Sequence, residues 1–280
     1  MRAITGKTLL YRLQLAFTLA VCAFLIVPVF LSMLAGLTVD YFVGLRSGLT
    51  LRWVVQVWQG YRGTLFLSIG IALACLALCL LLGVPAAYAL ARGRRRWTRL
   101  AEELLMMPVA VPGLATALAM ITTFGALGHF RTSWTFILVG HALFTLPFMV
   151  RSILAVLAAI DLKTLEEGAA SLGASFRQRF FDIVLPNCRN GILAGSLMVV
   201  TLSLGEFNLT WLLHTPFTKT LPVGLADAYA SLRLEVGSAY TLIFFIMIVP
   251  LLLAMQAASR PRRNNRLRVD LKHRPSEPPA

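Results

Sequence analysis

The chain is poor in charged side chains, and those it has are mostly basic. Charged residues make up 14% of its 280 residues, hydrophobic residues 58%, and the mean hydropathy is +0.76. A soluble domain cannot cover that much apolar surface with polar side chains, so lipid has to solvate part of it. The composition therefore excludes an ordinary soluble protein. The length allows about six membrane-spanning helices of roughly 20 residues each.

Cysteine is scarce too, and its spacing offers no metal or redox site. None of the four cysteines forms a Cys-x-x-Cys pair; they are Cys22, Cys75, Cys79 and Cys188. We expect small buried hydrophobic residues there. No spacing of His and Glu supports a metal site, and the lone His141 is expected to be a hydrogen-bonded packing residue. No Gly-x-x-x-x-Gly-Lys-Ser/Thr run occurs either, so no cofactor is expected and the chain itself should not bind ATP.

Six apolar runs are each long enough to cross a bilayer as a helix. A helix satisfies its own backbone polar groups, which lipid cannot do. The predicted spans are Leu13–Leu37, Leu65–Leu90, Leu104–Phe124, Trp134–Leu157, Gly191–Leu213 and Ala239–Ala258. Prolines in the third and fourth spans predict kinks.

Most of the 26 Lys and Arg residues lie on one side of these spans. The loops of the other side hold Arg46, Arg52, Arg62, Arg131, Lys219 and Arg233. By the positive-inside rule, both termini and the polar insert at 161–189 are expected in the cytoplasm. Most of the net charge of +14 then faces anionic lipid headgroups, and nucleic-acid binding is not expected.

The spans and charges divide the chain into three parts. Residues 1–63 hold the N-terminal end, the first span and an outer-face segment. Within that segment, apolar residues between Leu49 and Val57 are expected to form a short interfacial helix. Residues 64–259 form the membrane core. The basic, Pro-containing tail 260–280 is expected to be disordered.

The polar insert between spans four and five predicts two short helices that meet at a glycine. Thr164 and Glu167 fit a capping box, and Gly173 suits the left-handed end of the first helix. A second capping box begins at Ser175, and Pro186 is expected to end the second helix before the fifth span. Taken singly, Glu167 is explained as a helix cap and Gly173 as a plain helix end.

The spacing within this insert resembles the EAA motif of permease subunits of type I ABC importers, the binding-protein-dependent family. That motif is Glu-Ala-Ala, three residues, Gly, nine residues and Ile-x-Leu-Pro. The matching residues are Glu167, Gly168, Ala169, Gly173, Ile183, Leu185 and Pro186. Gly168 replaces the first alanine, which removes only a methyl group. The resemblance covers about residues 60–259.

The resemblance implies an all-α integral membrane protein with six transmembrane helices and the type I ABC importer permease fold. It implies a bacterial inner membrane, a second permease subunit (identical or a paralogue), a pair of cytosolic ABC ATPases and an outer solute-binding protein. The seven motif residues would couple the permease to the ATPase. The stretch from Leu204 to Val223 is similar to permeases for polyamines or 2-aminoethylphosphonate, with sulfate and ferric-iron importers as more distant relatives.

Glu206 is an acidic residue well inside an apolar run, and such a residue is expensive in a membrane. We predict that Glu206 and Asn208 lie on the translocation path. The alternative is a carboxylate paired with a neighbouring helix or a partner subunit. Two other functions compete with an importer: a secondary transporter with a proton or ion site at Glu206, and an intramembrane hydrolase. The first needs two related halves and the second a nucleophile with a base, and neither is evident.

Overall fold

A computed structural model describes residues 2–93 and 95–259, which form helices joined by short connections. No β-strand occurs among these residues, although one isolated antiparallel bridge pairs Thr38 with Leu49. The basic tail predicted at 260–280 lies outside them. In this part of the chain, five helices are long and apolar enough to cross a membrane, or six if one bent pair counts as a span. The predicted all-α class is confirmed.

The described residues form twelve α-helices, one 3-10 turn and one π-helical turn. They are α1 (Arg2–Ala35), a 3-10 turn (Gly44–Ser47), α2 (Arg52–Arg92), α3 (Arg95–Ala110), α4 (Gly113–Phe124), α5 (Gly128–Thr132), α6 (Trp134–Leu157), α7 (Leu162–Ser171), α8 (Phe176–Gln178), a π-helical turn (Arg179–Val184), α9 (Leu185–Gly205), α10 (Asn208–Leu213), α11 (Leu221–Ala230) and α12 (Leu234–Ser259). The bounds of α6 are those predicted for the fourth span, and α1 and α12 contain most of the first and sixth spans.

Helix α2 is longer than the predicted second span. Its 41 residues correspond to about 60 Å, twice the roughly 30 Å of a bilayer's hydrocarbon core. The prediction of a separate interfacial helix between Leu49 and Val57 is therefore wrong, because the residues from Arg52 to Val57 belong to α2. Val57 and Leu65 of α2 are buried against α11 and α12, and this packing continues the helix past the predicted edge.

The third predicted span is broken instead of merely kinked. Helices α3 and α4 meet at an angle of 98° across Val111 and Pro112. Pro112 precedes α4 with an extended backbone, and a proline has no N–H for the helix ladder. Pro108, by contrast, stays inside α3.

The helix that corresponds to the fifth predicted span begins and ends earlier in the chain than predicted. Helices α8 and α9, with the π-helical turn between them, form one helix from Phe176 to Gly205. Pro186 therefore does not end the second insert helix as predicted. The wider π-helical turn just before it interrupts the regular ladder, and the Asn187 side-chain amide donates to the Ile183 carbonyl at 2.8 Å. The helix ends at Gly205, and α10 follows after a two-residue break.

The centre of the fold is the packing of α2, α6 and α9. Gly191 and Gly195 lie one turn apart on α9, where α6 approaches closely. A Cβ at Gly191 would come within 2.6 Å of the Ser152 carbonyl oxygen. Small residues at this spacing let two membrane helices touch through their backbones. As predicted, Cys75, Cys79 and Cys188 are buried here, but the prediction is wrong for Cys22, which is exposed on α1.

Candidate functional site

Helix α7 begins one turn earlier than the sequence predicted. Asp161 is its N-cap and accepts hydrogen bonds from the Thr164 amide at 3.3 Å and the Thr164 hydroxyl at 2.6 Å. These two bonds, the hydroxyl first, lower the pKa of Asp161. The capping box predicted for Thr164 and Glu167 is therefore wrong. The earlier start places Leu162 in the first turn, where it is buried against the core.

The turn after α7 is closed by Gly173, as predicted. Its φ of +84° is left-handed, a region open to glycine. The amides of Gly173 and Ala174 donate to the carbonyls of Ala170 and Ala169, which is the Schellman arrangement. The predicted second capping box is also confirmed: Ser175 and Gln178 exchange side-chain to backbone hydrogen bonds. We call residues 161–178 the corner, and the end of the helix bundle that carries it the corner end.

Most motif residues of the corner point away from the rest of the chain. The Glu167 side chain is 66% exposed and forms an ion pair with Lys163, at 3.7 Å. Among residues 2–93 and 95–259, nothing lies within 4 Å of a Cβ placed at Gly168 or Gly173. Leu172, at the tip, is 90% exposed. The tip of the corner thus presents small side chains and the bare Leu172 to whatever lies beyond it.

The second half of the motif supports the corner from within. Ile183 is half-buried in the π-helical turn, Leu185 packs against the core of α2, α6 and α9, and Pro186 is exposed at the start of α9. These residues lie behind the corner and are not part of its exposed tip. Ala169 is half-buried and supplies a carbonyl to the turn.

The sequence did not reveal a buried polar cluster behind the corner. Glu166, next to the exposed Glu167, accepts a hydrogen bond from the Tyr88 hydroxyl and lies 3.3 Å from Arg92 Nε. The available signal was spacing: Glu166 follows the buried Leu162 by four residues, which places both on one helix face. Tyr88 and Arg92 have the same spacing at the end of α2.

Glu206 lies in the break between α9 and α10. Its carboxylate accepts hydrogen bonds from the amides of Leu209 and Thr210, each at 2.9 Å, and from the Thr210 hydroxyl at 2.8 Å. At the other end of α10, Arg131 donates to the Leu213 carbonyl at 2.8 Å. A short six-residue helix is thus held by an acid at its N-terminus and a base at its C-terminus, which complements its dipole.

His141 of α6 joins this break to the core. Its Nδ1 lies 2.8 Å from the Ser203 hydroxyl, and its Nε2 lies 2.8 Å from the Thr210 hydroxyl. The Thr210 hydroxyl gives its one proton to Glu206, so Nε2 must carry a hydrogen and donate to Thr210. The prediction of a hydrogen-bonded packing histidine is confirmed. The chain Ser203, His141, Thr210, Glu206 connects three helices.

The two broken helices of the fold meet at this point. A Cβ placed on Gly113, at the start of α4, would come within 3.3 Å of the Asn208 side chain and 3.8 Å of Glu206 Oε1. A cavity of about 80 Å³ lies between the two breaks. Its lining residues are Pro108, Val111, Gly113, Thr116, Phe144, Glu206, Asn208 and Leu209. Both predicted path residues therefore line one cavity, with Glu206 as its charged member.

An exposed corner at one end of a bundle of membrane helices and a polar junction between two broken helices are features expected of a transporter's membrane subunit. The family model of the binding-protein-dependent transport system inner membrane component matches residues 80–263. The chain belongs to this family. It is a permease subunit of an ABC importer and a multi-pass protein of the bacterial inner membrane.

Several characterised permeases are similar in sequence. The molybdenum transport system permease protein ModB of Mycobacterium tuberculosis is 28% identical over 224 residues, 74% of this chain and 83% of that protein. The sulfate transport system permease protein CysW of Synechocystis is 27% identical and covers 68% of this chain and 74% of that protein. The putrescine transport system permease protein PotI of Escherichia coli is 29% identical over 61% of this chain and 62% of that protein.

The fold is also found among solved structures. A chain of a bacterial ABC transporter involved in the import of the acidic polysaccharide alginate superposes with a TM-score of 0.69. Sequence identity is 18%, and the match covers 92% of this chain and 97% of the other. At that identity the likeness supports the fold alone.

Proposed function

We propose that the corner docks a cytosolic ABC ATPase, which hydrolyses ATP on its own chain while this subunit forms the path for the solute. The observation that carries the proposal is the exposure of Glu167, Gly168, Leu172 and Gly173. Gly173 closes the turn through its backbone, but the outer surface of these four residues is open to a partner. Their spacing is that of the family's coupling motif.

The proposal places the corner end in the cytoplasm, with both termini, because Lys and Arg are concentrated there. A solute-binding protein would then deliver the solute to the opposite end. A second permease subunit, identical or a paralogue, would complete the path. One structural neighbour is a bacterial alginate ABC transporter in complex with an alginate pentasaccharide-bound periplasmic protein, which supports such a partner here.

We place the translocation path at the cavity between the two helix breaks. Broken helices at membrane depth are tolerated where they line a cavity or are buried in protein. Glu206 and Asn208 would face the solute there. The three hydrogen bonds that Glu206 accepts also support the alternative of a carboxylate with a structural role, so transport and assembly have to be measured separately.

The solute is a small polar molecule in this proposal, and a cation such as a polyamine is the specific expectation, with 2-aminoethylphosphonate beside it. Glu206 is the charged residue of the cavity lining and favours a cation. The named relatives transport molybdenum, sulfate and putrescine, so the family accommodates both charges. Uptake of labelled putrescine, molybdate and sulfate in cells that depend on this permease decides. Putrescine uptake is expected, and uptake of either oxyanion alone would overturn the expectation.

Co-purification in mild detergent tests the docking proposal. The tagged wild type should retain the ATPase encoded for the same importer, whereas Gly173→Asp should lose it, because the left-handed φ disfavours a side chain and the corner would change shape. The matched control is Gly44→Asp. Gly44 also has a positive φ and open space around it, but it lies in the 3-10 turn, far along the chain from the corner.

The two variants distinguish docking of the ATPase at the corner from general strain in the fold. Loss of the ATPase in Gly173→Asp alone supports docking at the corner. Loss in both variants would point to general strain, and absence of the ATPase from folded wild type would overturn the docking proposal.

A further inference from the structure

Two neighbouring carboxylates of α7 have opposite environments. Glu167 is largely exposed, whereas Glu166 is only 4% exposed. Glu166 accepts a hydrogen bond from the Tyr88 hydroxyl and lies 3.3 Å from Arg92 Nε, and Arg92 Nη1 donates to the Tyr88 hydroxyl oxygen at 2.8 Å. A carboxylate is stable in a buried position only when it is paired with a positive charge and hydrogen-bonded. Here Arg92 provides the charge, and Tyr88 provides the hydrogen bond.

The same tyrosine also contacts the other arm of the corner. Its ring packs edge-on against Phe180, with centroids 5.2 Å apart, and at a tilt against Phe176 at 6.2 Å. The Arg92 guanidinium lies over the Tyr88 ring, 5.4 Å from its centroid. Tyr88 therefore holds α7 through its hydroxyl and the α8 side through its ring, so both arms are fixed to the end of α2.

Helix α2 carries this attachment into the membrane, where it packs against α6 and α9. We propose that Tyr88, Arg92 and Glu166 are positioning residues that make the corner and α2 move as one body. This inference rests on the proposed function, since the docked ATPase supplies the displacement. The joint then passes ATP-driven motion of the corner to the helices around the solute path, a role beyond holding α7 in place.

The first test needs no ATPase. Amide hydrogen exchange of the purified permease compares Glu166→Gln with Glu167→Gln, the same change on the neighbouring residue. Peptides from 162–171 should exchange about tenfold faster in Glu166→Gln than in wild type, because Tyr88 and Arg92 lose their charged partner. Glu167→Gln should match wild type there. Equal protection in both variants would overturn the joint.

The second test separates transmission from anchoring. Spin labels at Phe66→Cys in α2 and Ile246→Cys in α12, in a Cys22→Ser background, report the distance between these helices with and without ATP in the ATPase-bound complex. Glu166→Gln should keep the bound ATPase and its ATP hydrolysis but lose the ATP-dependent distance change. Glu103→Gln, at an exposed carboxylate of α3, should keep both.

Two results would contradict transmission. An unchanged distance response in Glu166→Gln would show that α2 does not depend on the joint. Loss of ATPase binding together with the response would show a purely structural anchor. Should the wild type itself bind no ATPase, the docking proposal and transmission both fall, while the exchange experiment still decides whether the joint exists.

Discussion

The corner and the polar junction at Glu206 are both places where a helix ends, yet their side chains are used in opposite ways. At the junction, Ser203, His141, Thr210 and Glu206 are consumed by bonds within this chain. At the corner, Glu167 and Leu172 make almost none. The difference indicates that the junction side chains hold this chain together, whereas Glu167 and Leu172 contribute little to it, as the docking proposal expects.

The largest effect is expected from His141→Ala, which tests whether the junction stabilises the fold. Removing the ring leaves two buried hydroxyls without their shared partner, so the free energy of unfolding should fall by about 2–4 kcal/mol. Thermal unfolding of the purified permease measures it. His129→Ala is the control, since His129 is exposed. An unchanged melting temperature in His141→Ala would mean that the junction does not stabilise the fold.

Glu206→Gln tests the junction's function at nearly constant shape. Glutamine keeps the size but loses the charge that α10 and a cationic solute would both meet. Uptake should fall about tenfold, equivalent to about 1.4 kcal/mol, while the ATPase still co-purifies. Uptake of the solute found in the panel above is the readout, beside Glu103→Gln. Loss of the whole complex in Glu206→Gln would favour the structural alternative.

Glu167→Gln should have the reverse profile. Its surface pair with Lys163 contributes less than about 0.5 kcal/mol, so the melting temperature should stay the same. Affinity for the ATPase should nevertheless weaken several-fold, because the docking proposal places this residue against the ATPase. Titration of the purified permease with the ATPase measures this affinity. A lower melting temperature with normal affinity would show that Glu167 stabilises the fold and does not bind the ATPase, which contradicts the difference between corner and junction.

The smallest effect concerns the start of α7. Hydrogen bonds from Thr164 keep the pKa of Asp161 below its unfolded value of about 3.9. This cap therefore stabilises α7 fully above about pH 4 and is lost as the pH falls through the lower folded value. Exchange of peptides from 162–171, corrected for intrinsic rates, should rise between pH 5 and pH 3 in wild type. Asp161→Asn does not titrate and should lack this extra rise.

The corner could be predicted because its determinants are local. A capping box and a left-handed glycine act over a few residues, and Ser175 and Gly173 lie where the sequence placed them. The start of α7 was missed because Asp161 and Thr164 are both good caps, and burial of Leu162 decides between them. The prediction that Pro186 ends a helix was wrong, because a π-helical turn just before the proline lets the helix continue through it.

The junction could not be predicted to the same degree because its contacts join distant segments. Glu206 was singled out from its polarity alone, but His141 lies 62 residues before its partner Ser203. The sequence predicted only a kink near Val111 and Pro112, whereas the bend is 98° and lies where α4 packs against α10. Periodicity within one helix carries no information about such packing.

The most direct test of the account is site-specific photo-cross-linking from two bare side chains. A cross-linker at position 172, the tip of the corner, should capture the ATPase in membranes. One at position 217, where Phe217 is 95% exposed in the loop between α10 and α11, should not. Capture from 172 alone would establish the corner as the ATPase site. Capture from 217 instead, or from neither position in an assembled transporter, would contradict it.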